Sequence, residues 1–318
     1  MIIGRIWGGA LAGTLAGSRS VDGDGVGFES IAPTVVAALG ADVVTAEVVP
    51  GSVANQDFLV ELTDGRRVFV KVAPRPELVA EVWALERAAA AGVPVPRVLS
   101  FDGDPGTPQP SLLILELLPT DGKLPANALR TAGRALKVVH GIELSGYGGI
   151  DVAGDPYAPD RIGGRYPSWR DYVASILADI DELVDLDLLS RARADRVRRW
   201  AETSEASPLL GDEGALLHSD LKPQHILSVD GRLTGIIDWG DASVGDPAWD
   251  LARASMMDPH DFRALADGYP GADDPGVRRL LPFYRVLWNA KALIYEFRAG
   301  GDWFAAYQQR ISADLDLL

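Results

Sequence analysis

The run His218-Ser219-Asp220-Leu221-Lys222-Pro223-Gln224-His225 places a carboxylate, an ammonium group and two imidazoles within eight residues, and Asp238 follows thirteen residues after His225. A polar run of this kind between short apolar segments holds side chains in fixed positions without burying them. The set suits phosphoryl transfer. That chemistry needs a carboxylate to orient an attacking hydroxyl and accept its proton, ligands for a magnesium ion bridging the phosphates, and a cation facing the developing charge. Asp220 fits the first role, His225 and Asp238 can supply the metal ligands, and Lys222 can turn its ammonium toward the transferred group. His218 reads as a brace for the loop backbone. Asp246 and Asp250 read as a helix-start carboxylate and a loop-bracing residue. His140 and His260 carry no signal.

The elements that must position these residues divide the chain in two. Residues 1–27 read as an extension: Met1–Ser18 is rich in Gly and Ala, and its apolar run is interrupted by Gly8, Gly9, Gly13 and Gly17, against the pattern of a secretory leader. The fold is expected to begin near Phe28. A short helix over Glu29–Leu39 is followed by strands over Ala41–Val49, Asp57–Leu62 and Arg67–Ala73, the last two joined by the hairpin signal Thr63-Asp64-Gly65-Arg66. Glu77–Ala91 reads as a helix closed by Gly92, and Val98–Phe101 and Ser111–Leu118 as two more strands. From Pro119 onward helical patterns dominate: Leu129–His140, Trp169–Leu186, Ser190–Glu205, Pro247–Met257, Pro259–Tyr269, Val277–Phe297 and Trp303–Leu315. Short strands over Ala215–Leu217, Ile226–Val229 and Leu233–Ile237 interrupt them. The expectation is an α+β, two-lobed protein: an antiparallel-sheet lobe over 28–118 that binds the nucleotide, and a larger, mainly helical lobe over 119–318 carrying the catalytic loop and the substrate site. Such a joint leaves a cleft where a ligand can bind.

Composition narrows the alternatives. Apolar residues make up 47% and charged residues 24% of the 318-residue chain, a globular balance. There is no cysteine, which excludes disulfides, zinc-thiolate sites and cysteine nucleophiles. The net charge of −15 argues against nucleic acid and anionic membrane as partners and is compatible with cationic small substrates. No apolar run reaches the ~18 residues a membrane span needs. A cytoplasmic location is expected.

The catalytic run resembles the kinase loop H-x-D-x-K-x-x-N followed by a D-x-G metal motif. Together with Gly235-Ile-Ile-Asp-Trp-Gly-Asp-Ala-Ser-Val-Gly-Asp-Pro-Ala-Trp-Asp-Leu-Ala252 and the upstream Gly92-Val-Pro-Val-Pro-Arg-Val-Leu99, it resembles the aminoglycoside phosphotransferase family, the antibiotic-kinase or choline-kinase-like group, over Phe28–Leu318. The resemblance implies a protein-kinase-like fold. It implies ATP or GTP as co-substrate with Mg2+, and a small-molecule hydroxyl acceptor, an antibiotic, with aminoglycosides ahead of macrolides. By the same resemblance Lys71 is the phosphate-binding lysine and Glu81 the glutamate that pairs with it. Gly51–Gln56, with Ser52, is the phosphate-covering loop. Glu116-Leu117-Leu118 is the hinge, with Glu116 and Leu118 offering backbone groups to a purine edge. The family's metal-ligand Asn is His225 here, as in macrolide phosphotransferases, a branch of the same superfamily. Asp246 comes only eight residues after Asp238, which leaves no room for the peptide-docking segment of a protein kinase, so no protein substrate is expected. A metabolic kinase of amino alcohols or sugars is the rival with the same chemistry. A nucleotide-binding pseudoenzyme is the rival of another class.

Substrate contacts are expected from two places. Asp179, Asp181, Glu182, Asp185 and Asp187 place five carboxylates along one helix and its end, and could attract ammonium groups. Tyr284, Trp288 and Tyr295 share a helical stripe, with Glu296 beside it.

Overall fold

The computed structural model describes residues 27–50, 55–73, 78–103, 111–151, 162–203 and 213–318. The chain folds into two compact units. One is the chain through Leu124 together with Leu227–Gly240; the other is Pro125–Ile226 with Asp241–Leu318.

The first unit is built on a five-stranded antiparallel sheet. Its strands are β1 (Val43–Val49), β2 (Gln56–Leu62), β3 (Arg67–Ala73), β4 (Val98–Asp102) and β5 (Ser111–Glu116), in the order β1-β2-β3-β5-β4. Side chains alternate between faces along each strand. Phe58, Val60, Leu62, Val68, Val70, Val72, Leu112 and Ile114 therefore form one apolar face, which helix α1 (Phe28–Leu39) covers with Ile31 and Val35. The opposite parity puts Lys71 on the other face, where Glu81 of helix α2 (Leu78–Ala90) reaches it. Register pairs Lys71 with Asp57 on one side and Leu113 on the other.

The hairpin β10 (Ile226–Val229) and β11 (Arg232–Ile236) turns through Asp230 and Gly231, both at positive φ (49° and 74°), as a two-residue hairpin turn requires. Sequence pattern places this hairpin in a second lobe starting at 119. The observed boundary is different because the hairpin is hydrogen-bonded to the segment before Leu124. The Ile236 N–H donates to Pro94 O (2.9 Å), Thr234 Oγ1 to Pro119 O (2.7 Å), the Asp121 N–H to Ser228 O (3.0 Å) and the Asp230 N–H to Asp121 Oδ2 (3.0 Å). The hairpin delivers Asp238 to the sheet unit that carries Lys71.

The second unit holds helices α3 (Ala126–Val139), α4 (Trp169–Asp185), α5 (Arg191–Ala201), α6 (Pro247–Ala254), α7 (Pro259–Gly268), α8 (Pro275–Arg298) and α9 (Phe304–Leu315). It also contains a sheet that the sequence pattern does not reveal. Strands β6 (Glu143–Ser145), β7 (Tyr147–Asp151), β8 (Gly163–Tyr166), β9 (Glu213–Leu217) and β12 (Ser243–Gly245) pair in the order β6-β9-β12-β7-β8. An aromatic cluster of Trp169, Tyr172, Trp249 and Tyr284 packs with ring centroids 5.2–5.9 Å apart. Its polar atoms are satisfied in series: Trp169 Nε1–H donates to Tyr284 Oη (2.9 Å), and Tyr284 O–H donates to Asp246 Oδ2 (2.7 Å). Asp246 also caps α6, accepting from the Ala248 N–H (2.9 Å). Helices α3 and α7 touch through glycine: a Cβ on Gly133 would lie 2.1 Å from Leu265 O. Among the described residues no helix is long and apolar enough to cross a membrane.

Candidate active site

In the first unit Lys71 Nζ lies 2.7 and 3.0 Å from the two oxygens of Glu81 and 2.8 Å from Asp238 Oδ1. Glu81 is fully buried and Lys71 is 4% exposed, so neither charge would be tolerable without the other. Burial works against the ammonium, but Glu81, Asp238 and Asp57 outweigh it and hold Lys71 protonated above the usual lysine range. The Trp239 N–H also supports Glu81. Asp238 sits at φ 65°, a left-handed backbone that is uncommon outside glycine, and its side chain is 43% exposed. It thus presents a carboxylate that is anchored on Lys71 yet reachable.

Asp57 was not evident from the sequence. Its carboxylate faces Lys71, Asp238 and Glu81, and its Oδ1 is buried with no hydrogen-bond partner among the described residues. Burial is the largest cause of a pKa raised to about 6; Lys71 pulls it down, and Asp238 and Glu81 push it up.

In the second unit the loop after β9 is held from behind by Asp250 of α6. Its Oδ2 accepts the His218 N–H (2.8 Å) and its Oδ1 the Ser219 N–H (2.7 Å). His140, at the end of α3, bridges Asp250 Oδ2 (3.0 Å) and Tyr269 Oη (2.8 Å) through its two ring nitrogens. His140 gave no sequence signal because its partners lie over a hundred residues away. Ser219 adopts φ 67° and pairs its hydroxyl with Ser243 (2.6 Å). The His225 ring meets Asp220 O through Nδ1 (2.9 Å). A carbonyl oxygen only accepts, so Nδ1 carries the hydrogen and Nε2 the lone pair of the neutral ring.

Both oxygens of Asp220 receive charged donors: Lys222 Nζ at Oδ2 (2.8 Å) and Arg253 Nε at Oδ1 (2.8 Å). Burial would raise the Asp220 pKa, but Arg253, His225 and Lys222 overcome it and hold the carboxyl below its ordinary value. Arg253 lies over the Trp288 ring, 4.2 Å from its centroid, and Trp288 Nε1–H donates to Ser219 O (2.9 Å).

The remaining expected residues fall elsewhere. Ser52 lies outside the described residues. The Glu116 side chain accepts from Arg97 Nε (3.0 Å), and its N–H is already bonded to Arg97 O (2.9 Å). The Leu118 side chain lies against Gly235. The acidic run of α4 is compensated: Asp181 pairs with Arg198 and Arg191, Asp185 with Arg191, and Glu182 with Arg298, which also lies 3.7 Å from Asp179. Glu296 Oε1 accepts the N–H groups of Asp302 (3.1 Å) and Trp303 (3.3 Å), closing the turn after α8. Trp288 contacts the loop after β9 through its indole nitrogen and Arg253 through its ring face.

The chain is 27% identical over 222 residues to viomycin phosphotransferase of Streptomyces vinaceus, covering 66% of this chain and 72% of that protein. It is 28% identical over 190 residues to hygromycin-B 4-O-kinase of Escherichia coli, covering 54% of this chain and only 50% of that protein's length. The solved fold of a thermostable mutant of aminoglycoside phosphotransferase APH(4)-Ia, in ternary complex with ADP and hygromycin B, superposes with a TM-score of 0.66 at 18% identity, covering 90% of this chain and 98% of the other. Residues 45–283 match the phosphotransferase enzyme family, and the chain belongs to that family.

Proposed function

We propose that the protein transfers the γ-phosphoryl group of ATP or GTP to a hydroxyl of a small-molecule antibiotic, an aminoglycoside-type acceptor ahead of a macrolide, and so confers resistance. The observation that carries this reading is Asp220, buried in a braced loop with a cationic donor on each carboxylate oxygen. Its role is general base. It orients the acceptor hydroxyl and takes its proton as the bond to phosphorus forms. Lys222 leaves the carboxylate for the transferred group and meets its charge. Lys71, held by Glu81, binds the nucleotide phosphates, and the Glu116–Leu118 segment meets the purine edge.

One oxygen donor and one imidazole are available for a magnesium ion. Asp238 offers a partly exposed carboxylate, and His225 is held in the tautomer whose lone pair is on Nε2. These two residues would hold the ion, which when bound neutralises phosphate charge. Imidazole is a less natural magnesium ligand than an oxygen donor, and His225 sets this chain apart from the common family pattern.

The relatives named for viomycin and hygromycin B support an antibiotic acceptor. Asp179, Asp181, Glu182 and Asp185 of α4 lie beside arginines, so Asp179 and Glu296 contribute to acceptor binding only after leaving their present partners. A co-substrate such as ATP places the reaction in the cytoplasm. The test is a screen of aminoglycosides, peptide antibiotics, macrolides, amino alcohols and sugars with MgATP and MgGTP, read by the mass gain of one phosphoryl group. Transfer to an antibiotic supports the reading. Transfer only to an amino alcohol or sugar replaces it with a metabolic kinase.

A further inference from the structure

Arg253, Asp220, Ser219 and Trp288 form a closed ring of contacts. Arg253 Nε–H meets Asp220 Oδ1, Asp220 follows Ser219 in the loop, Ser219 O accepts from Trp288 Nε1, and the Trp288 ring supports the Arg253 guanidinium. Three elements contribute: the loop after β9, α6 and α8. Arg253 is 12% exposed in its side chain, whereas Lys222, on the other carboxylate oxygen, is 29% exposed. The two cations on Asp220 are therefore not equivalent. One is packed face-on against an indole that is itself pinned; the other stands on a flexible four-carbon stem in the same loop.

We propose that Arg253 is a positioning residue that fixes Oδ1 of Asp220, so that Oδ2, now held by Lys222, is the oxygen that takes the acceptor's proton. The inference rests on Asp220 being the general base. The torsion that swings a carboxylate about its last bond is broad and roughly two-fold. A base with no lateral tether would present either oxygen over a range of angles, and misplacing it by about 1 Å can cost on the order of 10²-fold in rate. An Nε–H donor on a stacked planar guanidinium removes that freedom in a way a lysine cannot copy. In the step itself the acceptor O–H proton passes to Oδ2, the acceptor oxygen bonds to the γ-phosphorus, and the bond to the bridging oxygen breaks with its electron pair leaving on the nucleoside diphosphate. Lys222, displaced from Oδ2 by the hydroxyl, becomes available to the phosphoryl group, while Arg253 stays.

The test uses the full chain with MgATP and water as acceptor, read by ADP release, and repeats it with any acceptor the screen identifies. Arg253→Gln is expected to lower kcat by about 10²-fold with the nucleotide KM within a few-fold of the parent. Arg253→Lys, which keeps the charge and guards against a folding failure, is expected to recover only part of that loss. Trp288→Leu should lower kcat in the same manner. Added methylguanidine should raise the turnover of Arg253→Ala, which a merely structural role would not allow. The double variant Asp220→Asn with Arg253→Gln should be no slower than Asp220→Asn alone. Losses that multiply, or Arg253→Gln turning over like the parent, would overturn the proposal. If Asp220→Asn itself keeps parental turnover, the general-base reading fails with it. If Asp220→Asn is inactive while Arg253→Gln is unaffected, only the positioning role fails.

Discussion

Asp57 stands directly across β2 and β3 from Lys71, and its Oδ1 is buried without a hydrogen-bond partner. Among the described residues that oxygen has no donor, and the carboxylate shares Lys71 with Glu81 and Asp238.

A stability measurement against pH reads this directly. An aspartate with an ordinary value of 3.8 that titrates at about 6 in the fold binds its proton more tightly folded than unfolded. Its least unfavourable contribution thus lies below the unfolded value. Stability falls as pH rises from there through about 6 and is level above. Asp57→Asn removes that penalty. It should be more stable than the parent at pH 7.5 by roughly 1–3 kcal/mol, with the gain vanishing near pH 4. Denaturant melts at the two pH values are the measurement, and an equal gain at both would contradict the assignment.

The Lys71–Glu81 pair should separate stability from binding. Lys71→Met leaves Glu81 fully buried without its counter-ion, a change expected to cost roughly 3–5 kcal/mol. Adding Glu81→Leu should restore most of the stability and none of the nucleotide affinity. Recovery of nucleotide binding in the double variant would remove Lys71 from phosphate recognition.

Asp250 is expected to act on the loop from behind. Asp250→Asn retains one acceptor oxygen where two now serve the His218 and Ser219 N–H groups and the His140 ring. Buried donors left unmade cost about 1–3 kcal/mol each. Melting temperature and kcat should fall together, whereas nucleotide affinity, which the proposed function assigns to Lys71, should not. An unchanged melting temperature would show that the loop is braced elsewhere.

Sequence legibility followed element length and partner distance. Strands β2, β3 and β5 and the long helices announce themselves by period. The strands β6, β7, β8 and β12 do not: they run three to five residues, and Gly146, Gly148, Gly149, Gly163 and Gly164 make the stretch of β6–β8 read as turn. The grouping of Asp220, Lys222 and His225 in the loop after β9 is legible because these residues are neighbours in sequence. Arg253 was not, because its partner lies 33 residues upstream and an arginine in the last turn of a helix ordinarily answers the helix dipole. The carboxylates of α4 looked available because the arginines that neutralise them, Arg191, Arg198 and Arg298, come from α5 and α8. The hairpin β10–β11 was assigned with its sequence neighbours, but its hydrogen bonds run to Pro94, Pro119 and Asp121.

His225 offers a test of the metal site. His225→Asn supplies an oxygen ligand suited to magnesium and should preserve or raise activity, while His225→Ala should lower it and weaken apparent magnesium affinity. If Asn proves as damaging as Ala with magnesium affinity unchanged, the ring's contact with Asp220 O is its essential function.

The central claim is that Asp220 is the base of a phosphotransferase, and Asp220→Asn tests it most directly. The variant keeps the side chain's size and removes its charge. Phosphoryl transfer from MgATP, to water and to any accepted antibiotic, should fall by about 10²-fold or more in kcat. The dissociation constant of MgATP, measured by calorimetry on the same preparation, should stay within a few-fold of the parent. Turnover near the parental rate with intact nucleotide binding would contradict the account.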